Sequence, residues 1–458
     1  MLFHTWPFLL FFLIVYAVYL PLRRTSLWLH WLLAASYFFY GWWNPLYLLL
    51  VVYSTALDFF VVIAMERTRW KGPWLWVSLL NNLLLLGFFK YGAFVTENIN
   101  SGLTAVGVDY ALPSPGVLLP VGISFYTFQS MSYTIDFYRG KIDRERNFIR
   151  FAAFVSLFPQ LVAGPIERAS QLLPQLREVP RVKTQDITDG LSLFVVGLFK
   201  KVALADYLAM YVDPVYAIPD RHGAPALVLA TFAFAWQIYF DFSGYTDMAR
   251  GVARMMGIRL MLNFNNPYLA TSLGDFWARW HISLSTWFRD YVYIPLGGNR
   301  CGDLMMYRNL FLAMVISGLW HGAAWTFVIW GALHALATMA TRSAERSTWY
   351  RRRVPKFVKQ ILVFVVVWFT WIFFRAESTS DALLIVKRIF TADWLDPKIP
   401  LLALALIGVV WLYQFLYESS ARRLLEVPAV RIALVVFMVL YLFMAPGSGG
   451  TAFIYFQF

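Results

Sequence analysis

Apolar runs of membrane-crossing length follow one another along this chain of 458 residues. Hydrocarbon accepts a backbone only when its polar groups are satisfied internally, so each run of roughly 17–25 residues predicts a spanning helix. Helices are expected near 6–22, 27–42, 46–64, 74–95, 117–137, 190–212, 226–247, 358–375, 400–417 and 430–446. Composition agrees, with 60% hydrophobic and only 14% charged residues, far from the balance of a soluble domain. The 41 Phe, 25 Tyr and 20 Trp exceed what core filling needs and suit the membrane–water boundary.

The net charge of +13 then reads as orientation in a membrane, because cytoplasmic loops collect Lys and Arg and the anionic inner leaflet attracts them. No RNP, zinc-finger or basic-helix signature accompanies it, so nucleic acid is not an expected partner. The lone Cys301 rules out an intramolecular disulfide and a cysteine-cluster metal site, and no metal is expected. P-loop, Rossmann, G-x-S-x-G and H-E-x-x-H patterns are absent, which removes most support for nucleotide or zinc hydrolysis. "WPFLLFFLIVYAVYL" has the length of a signal-peptide core, yet its basic residues, Arg23 and Arg24, follow it instead of preceding it. A retained first helix with its start outside is the expectation.

Letting basic clusters choose sides puts "ERTRWKG" and "YRGKIDRERNFIR" in the cytoplasm and residues 96–115, with Glu97 and Asp109 and no Lys or Arg, outside. Residues 150–165, closed by "FPQLVAGPIER", are apolar but short and read as a re-entrant or interfacial piece leading into the basic loop Arg168 to Lys183. From Tyr307 to Met339 the chain is apolar again, but both flanks are basic: Arg300 and Arg308 before, "RRRVPKFVK" after. One crossing would leave the Arg351–Arg353 cluster outside, so a re-entrant pair of helices is expected, with His321 of "SGLWHGAAW" near its turn.

A polar imidazole in an apolar segment costs free energy unless it meets a partner, a cavity or a substrate. A second one, His281, lies in "SLGDFWARWHISLSTWFRDYVYIPLGG". There Ser272 and Asp275 form a candidate capping box, Pro295 with Gly297-Gly298 ends the pattern, and one amphipathic helix is expected with His281 beside Trp277, Leu284 and Phe288 on its apolar face. Each histidine taken alone reads first as a hydrogen-bonded structural group. Together, 40 residues apart in Trp- and Gly-containing segments, they suggest chemistry, since a neutral histidine is the usual group to take a proton from a hydroxyl attacking an acyl carbon. Around His321, Ser317, Gly318, Ala324 and Trp325 fall at helical spacing and serve either tight packing or ligand access. His334 points to another face and reads as structural.

Asp241 and Asp247 in "WQIYFDFSGYTDMARG" read as groups that orient a histidine or pair with arginines of the following segment, or else as members of an ion pair that fixes helix packing. "NFNNPYLA" reads as a polar turn whose amides cap the next helix or meet a ligand. Arg279, Arg289 and Arg300 are candidates for phosphate groups, or else plain positive-inside charge. The wider set of substrate or acyl-donor contacts is Arg279, Trp280, Ser285, Arg289, Asn265, Asn266, Ser317, Trp320, Trp325, Gln237, Asp241 and Tyr245.

"FQSMSYTIDFYRG", "LFPQLVAGPIER", "QIYFDFSGYTDMARG", "NFNNPYLATSLGDFWARWHISLSTWFRDYVYIPLGGNR", "GLWHGAAWTFVIWGALH" and the terminal "FIYFQF" resemble, in order, the membrane-bound O-acyltransferase (MBOAT) family, most closely its bacterial alginate O-acetyltransferase branch. Ala335 departs from the glycine expected after His334. The resemblance implies an all-α polytopic transmembrane fold, a ring of tilted helices around a thinned centre with a cytoplasmic funnel. It implies a single integral-membrane domain over 1–458, with N-terminal spans in 1–247, the catalytic core in 248–340 and C-terminal spans in 341–458. His321 then matches the catalytic histidine and His281 the second histidine of the active site. Acetyl-CoA is the implied donor. The implied acceptor is a hydroxyl of an exported polysaccharide, or a separate periplasmic acetyltransferase partner, since no soluble domain is seen after the last span. A multi-pass protein of the bacterial inner membrane, in contact with membrane lipid, is expected. Two other readings stay open: acyl transfer from a carrier-protein thioester to a cell-wall polymer, as in the teichoic-acid D-alanyl branch, and a polymer or ion transporter with a histidine proton relay.

Overall fold

The structure, a computed structural model, describes residues 1–162, 164–394, 399–444 and 453–454. Among the described residues every regular element is helical. Pro45–Arg67, Lys71–Ala105, Ala224–Met255 and Lys356–Arg375 are long and apolar enough to cross a bilayer, and Trp6–Leu22, Leu401–Tyr417 and Pro428–Met444 are shorter apolar helices. The chain is thus an all-α membrane protein. Of the terminal "FIYFQF" only Phe453 and Ile454 are described, and residues 445 and 446 of the expected last span lie outside the described residues, as does residue 163 of "LFPQLVAGPIER".

Contacts divide the chain into two compact units, Met1–Phe194 with Ala249–Met261, and Val195–Met248 with Leu262–Phe458. In the first, polar side chains join apolar helices where water cannot. Asp58 of Pro45–Arg67 accepts hydrogen bonds from Ser78 Oγ at 2.6 Å and Asn82 Nδ2 at 3.0 Å, both on the following helix. Each such bond between helices contributes roughly 0.6–2 kcal/mol in a bilayer. The helix expected over 74–95 runs instead from Lys71 to Ala105 through a π turn at Gly87–Tyr91, about 52 Å at 1.5 Å per residue. Its partner starts at Ile123, not 117, because prolines at 113, 115 and 120 and left-handed Gly116 and Gly122 forbid a helix before it. The short apolar piece after Asn147 forms two helices, Phe148–Ser156 and Phe158–Leu161, broken at Leu157 next to Pro159. The basic loop contains a further helix, Ala169–Arg177.

In the second unit, the apolar stretch after Tyr307 is a helical hairpin, Asp303–His321 and Trp325–Arg346, as the charge on its flanks requires. The two helices of the hairpin run antiparallel over their whole length. At the open end Arg346 and Asp303 pair at 2.8 Å and Tyr307 meets Ser343 at 3.3 Å, while near the turn a Cβ at Gly318 would collide with the Phe327 carbonyl. The small residues beside His321 therefore serve close backbone approach.

Candidate active site

Asp303–His321 ends at the histidine itself: Gly322 is extended, and Trp325 begins the return helix. Ala324 and Trp325 consequently do not share a helical face with His321, as continuous spacing suggested, and Trp325 is 55% exposed. The imidazole is buried, 2% exposed, and its wall is aromatic: Trp320, Trp330 and Phe374 lie edge-on with ring centroids at 5.0, 5.2 and 5.4 Å.

The single amphipathic helix expected over Ser272 to Tyr291 is broken at its histidine. Leu273–Arg279 starts as the capping box predicts, with Ser272 Oγ accepting from Asp275 N at 3.1 Å, though the Asp275 carboxylate reaches Thr271 N, at 3.0 Å. The chain then turns at His281, whose φ of +43° is left-handed, and restarts as Ile282–Phe288. A non-glycine residue held there is strained and persists only when its surroundings over-determine it. Asn263 does so. Its carbonyl accepts from Ile282 N at 2.9 Å and its side-chain Oδ1 from Ser283 N at 3.1 Å, satisfying the first two amides of the restarted helix. The break keeps His281 fully buried without requiring the face that periodicity assigned.

Asn263 also fixes the state of the ring. Oδ1 must be the oxygen end of the amide, because it faces the obligatory donor Ser283 N–H, and it lies 3.2 Å from His281 Nδ1. Nδ1 of the neutral ring therefore carries the proton and donates, which leaves the lone pair on Nε2. Asn263 was not singled out among the residues of "NFNNPYLA"; the capping role read for that turn was the signal. Asn263→Ala is expected to destabilise the protein by about 1–2 kcal/mol, through loss of the cap and of a buried hydrogen bond. It should also release His281 to both tautomers, visible as a second population in side-chain nitrogen NMR of labelled histidine.

The two histidines meet at one indole: Trp320 is 6.1 Å from the His281 ring and 5.0 Å from that of His321, centroid to centroid. Phe242 closes on His281 at 4.7 Å and on Phe453 at 5.7 Å, and Phe453 lies 4.6 Å from Tyr245. His281, His321, Trp320 and Tyr245 thus share one aromatic neighbourhood. Asp241 joins it through backbone, its Oδ2 accepting from Ile454 N at 2.7 Å. Its charge partner is Lys201 at 2.7 Å, and Asp247 pairs with Lys200 at 2.7 Å, so each carboxylate enters an ion pair between neighbouring helices. A π turn at Lys200–Ala205 brings both lysines inward, which α-helical spacing does not reveal.

The other sequence candidates are placed elsewhere in this unit. Arg279 is tied to Asp275 at 2.7 Å and Glu418 at 2.6 Å; Asn266 reaches the same Glu418 at 3.4 Å, and the Asn265 amide donates to the Arg279 carbonyl at 2.9 Å. Arg289, itself exposed, pairs with its half-buried neighbour Asp290 at 2.8 Å, and Arg300 is exposed. Ser285 donates to the Trp280 carbonyl at 3.1 Å, while Trp280 is buried among Phe264, Tyr268, Phe276 and Trp371. Ser317 and Gln237 are buried. His334 is structural as read: Thr370 Oγ1 lies 2.9 Å from its Nε2 and Trp330 meets the ring edge-on at 4.7 Å. Among the described residues no group of His, Cys, Asp and Glu is arranged to hold a metal ion.

The chain is similar in sequence to known proteins. The model of the membrane-bound O-acyltransferase family matches residues 138–379. The probable alginate O-acetylase AlgI of Pseudomonas putida is 43% identical over 369 residues, covering 79% of this chain and 75% of that protein. A peptidoglycan O-acetyltransferase of Helicobacter pylori is 38% identical over 78% of this chain and 72% of its own length. A teichoic acid D-alanyltransferase of Bacillus subtilis is 27% identical over 55% and 67%. The chain belongs to the membrane-bound O-acyltransferase family and is an O-acyltransferase.

Proposed function

We propose that this chain is a membrane O-acetyltransferase of the bacterial inner membrane, which takes acetyl from cytoplasmic acetyl-CoA and passes it to an alginate-like exported polysaccharide. Transfer is direct or goes through a separate periplasmic acetyltransferase. The observation that carries the reading is the convergence of two buried histidines on one indole, in a chain whose O-acetylase relatives cover most of its length. In this reading His321 is the general base. Its imidazole accepts the acceptor hydroxyl's proton as that oxygen attacks the thioester carbonyl; the carbon–sulfur bond then breaks, and the CoA thiolate takes the proton back from the imidazolium. His281, with its lone pair on Nε2, accepts a hydrogen bond from the incoming hydroxyl and positions it. The aromatic wall excludes the water that would otherwise hydrolyse the thioester.

Everted membrane vesicles given radiolabelled acetyl-CoA test the donor. Label is expected to accumulate on luminal polymer or protein, with CoA thiol released in step. Transfer that required an acylated small acidic carrier protein and ignored acetyl-CoA would replace this reading with that of the D-alanyl branch, and ion flux without any acyl transfer would replace it with a transporter.

A further inference from the structure

The first unit holds a cavity of about 530 Å³ that the acyl-transfer reading does not use. It is lined by Arg144, Arg146, Arg150 and Arg177, with Phe137 as an apolar wall and Glu66, Asp143 and Glu145 as the acidic groups. These side chains come from the ends of four helices and from the loop "YRGKIDRERN", which the positive-inside rule assigns to the cytoplasm.

The floor is rigid. Glu145, 2% exposed, accepts from Asn147 N at 3.0 Å, Arg150 Nη1 at 2.7 Å and Arg177 Nε at 3.2 Å, and Arg150 Nε donates to the Leu176 carbonyl at 3.1 Å. Burial raises the Glu145 carboxyl, but the Asn147 amide and the two guanidiniums outweigh it and hold the group below the ordinary glutamate range, so it stays anionic. One carboxylate thereby fixes two guanidiniums by one edge each. Arg144 meets Glu66 through Nε at 3.0 Å, and Arg146, exposed at the cavity, has no carboxylate partner among the described residues. Four guanidiniums face three carboxylates, and Lys71 adds a further cation over the Phe137 ring at 5.7 Å. A purely structural network would balance its charges; this one leaves positive charge focused in a concave space. Guanidinium forks match phosphate oxygens, and the volume lies within the range of small-molecule sites, too large for a bare phosphate.

We propose that this cavity binds a phosphate ester, its phosphate held by Arg146 and Arg177 and its organic part lying toward Phe137. An anionic lipid headgroup and a soluble phosphate compound share this chemistry. The test uses the full chain in nanodiscs of phosphatidylcholine, titrated in one arm with phosphatidylglycerol, read by native mass spectrometry, and in the other with adenosine 3′,5′-bisphosphate, read by calorimetry. Saturable binding in the first arm identifies a lipid headgroup, and in the second a soluble ester. R146Q/R177Q should weaken whichever binding occurs at least about tenfold, the loss expected for charge-assisted hydrogen bonds. R146Q alone, at an exposed position, should weaken it measurably if the double variant folds poorly. R351Q/R352Q/R353Q removes more charge elsewhere and should change nothing. Absence of saturable binding in both arms, or equal weakening by that control, overturns the proposal, and neither result bears on His321.

Discussion

His321→Ala should lower acetyl transfer by about 10²–10⁴-fold, the usual contribution of a positioned general base, while the protein still inserts and purifies. Truncation also leaves a small void among Trp320, Trp330 and Phe374, so part of any loss could be packing. His321→Gln separates the two effects. It keeps most of the volume and a polar end, but offers no group that takes a proton near neutrality, so it should lose as much activity as alanine with less effect on thermal stability. His334→Ala gives the opposite pattern. That ring is fixed by Thr370 and meets Trp330 edge-on, so its loss should reduce folded yield while surviving molecules keep their rate. The measurement is label transfer from acetyl-CoA per folded molecule in vesicles. Activity of His321→Gln near that of the parent chain would remove the imidazole from the mechanism.

Much of this architecture was legible because hydrocarbon imposes simple rules. Apolar length places Trp6–Leu22, Lys356–Arg375 and Leu401–Tyr417 to within two residues, and the basic flanks of residues 307–339 by themselves call for the hairpin. Ser272 and Asp275 marked a helix start by local hydrogen bonding alone. What stayed hidden was decided by distant backbone. The helix broke at His281 because Asn263, eighteen residues earlier, supplies the acceptors that a continuing helix would have provided. Periodicity carries no trace of that. Arg279 likewise seemed available to a ligand until Glu418, 139 residues on, met it at 2.6 Å. Lys201 falls in the middle of the expected span over 190–212, where an ammonium needs a partner, and apolar length does not say which; the π turn at Lys200–Ala205 carries it to Asp206 and Asp241.

That lysine supports the second large effect. Lys201 is 1% exposed and bridges Asp206 at 2.8 Å and Asp241 at 2.7 Å. Lys201→Met would leave two carboxylates facing each other in a dry interior. Removing one member of a buried ion pair costs about 3–5 kcal/mol, and the expected result is a sharp fall in folded yield and thermal midpoint in detergent. Because the cost comes from uncompensated charge, neutralising the carboxylates as well should recover much of it: Lys201→Met with Asp206→Asn and Asp241→Asn should be far more stable than Lys201→Met alone. Asp241→Asn by itself is more informative about activity. Its amide oxygen can still accept from Ile454 N, but without the ammonium tether the hold on residues 453–454 loosens. Phe453 then packs less firmly on Phe242, which lies against His281. A fall in transfer rate larger than the fall in folded yield is expected from this variant, and proportional falls would restrict the cluster to stability.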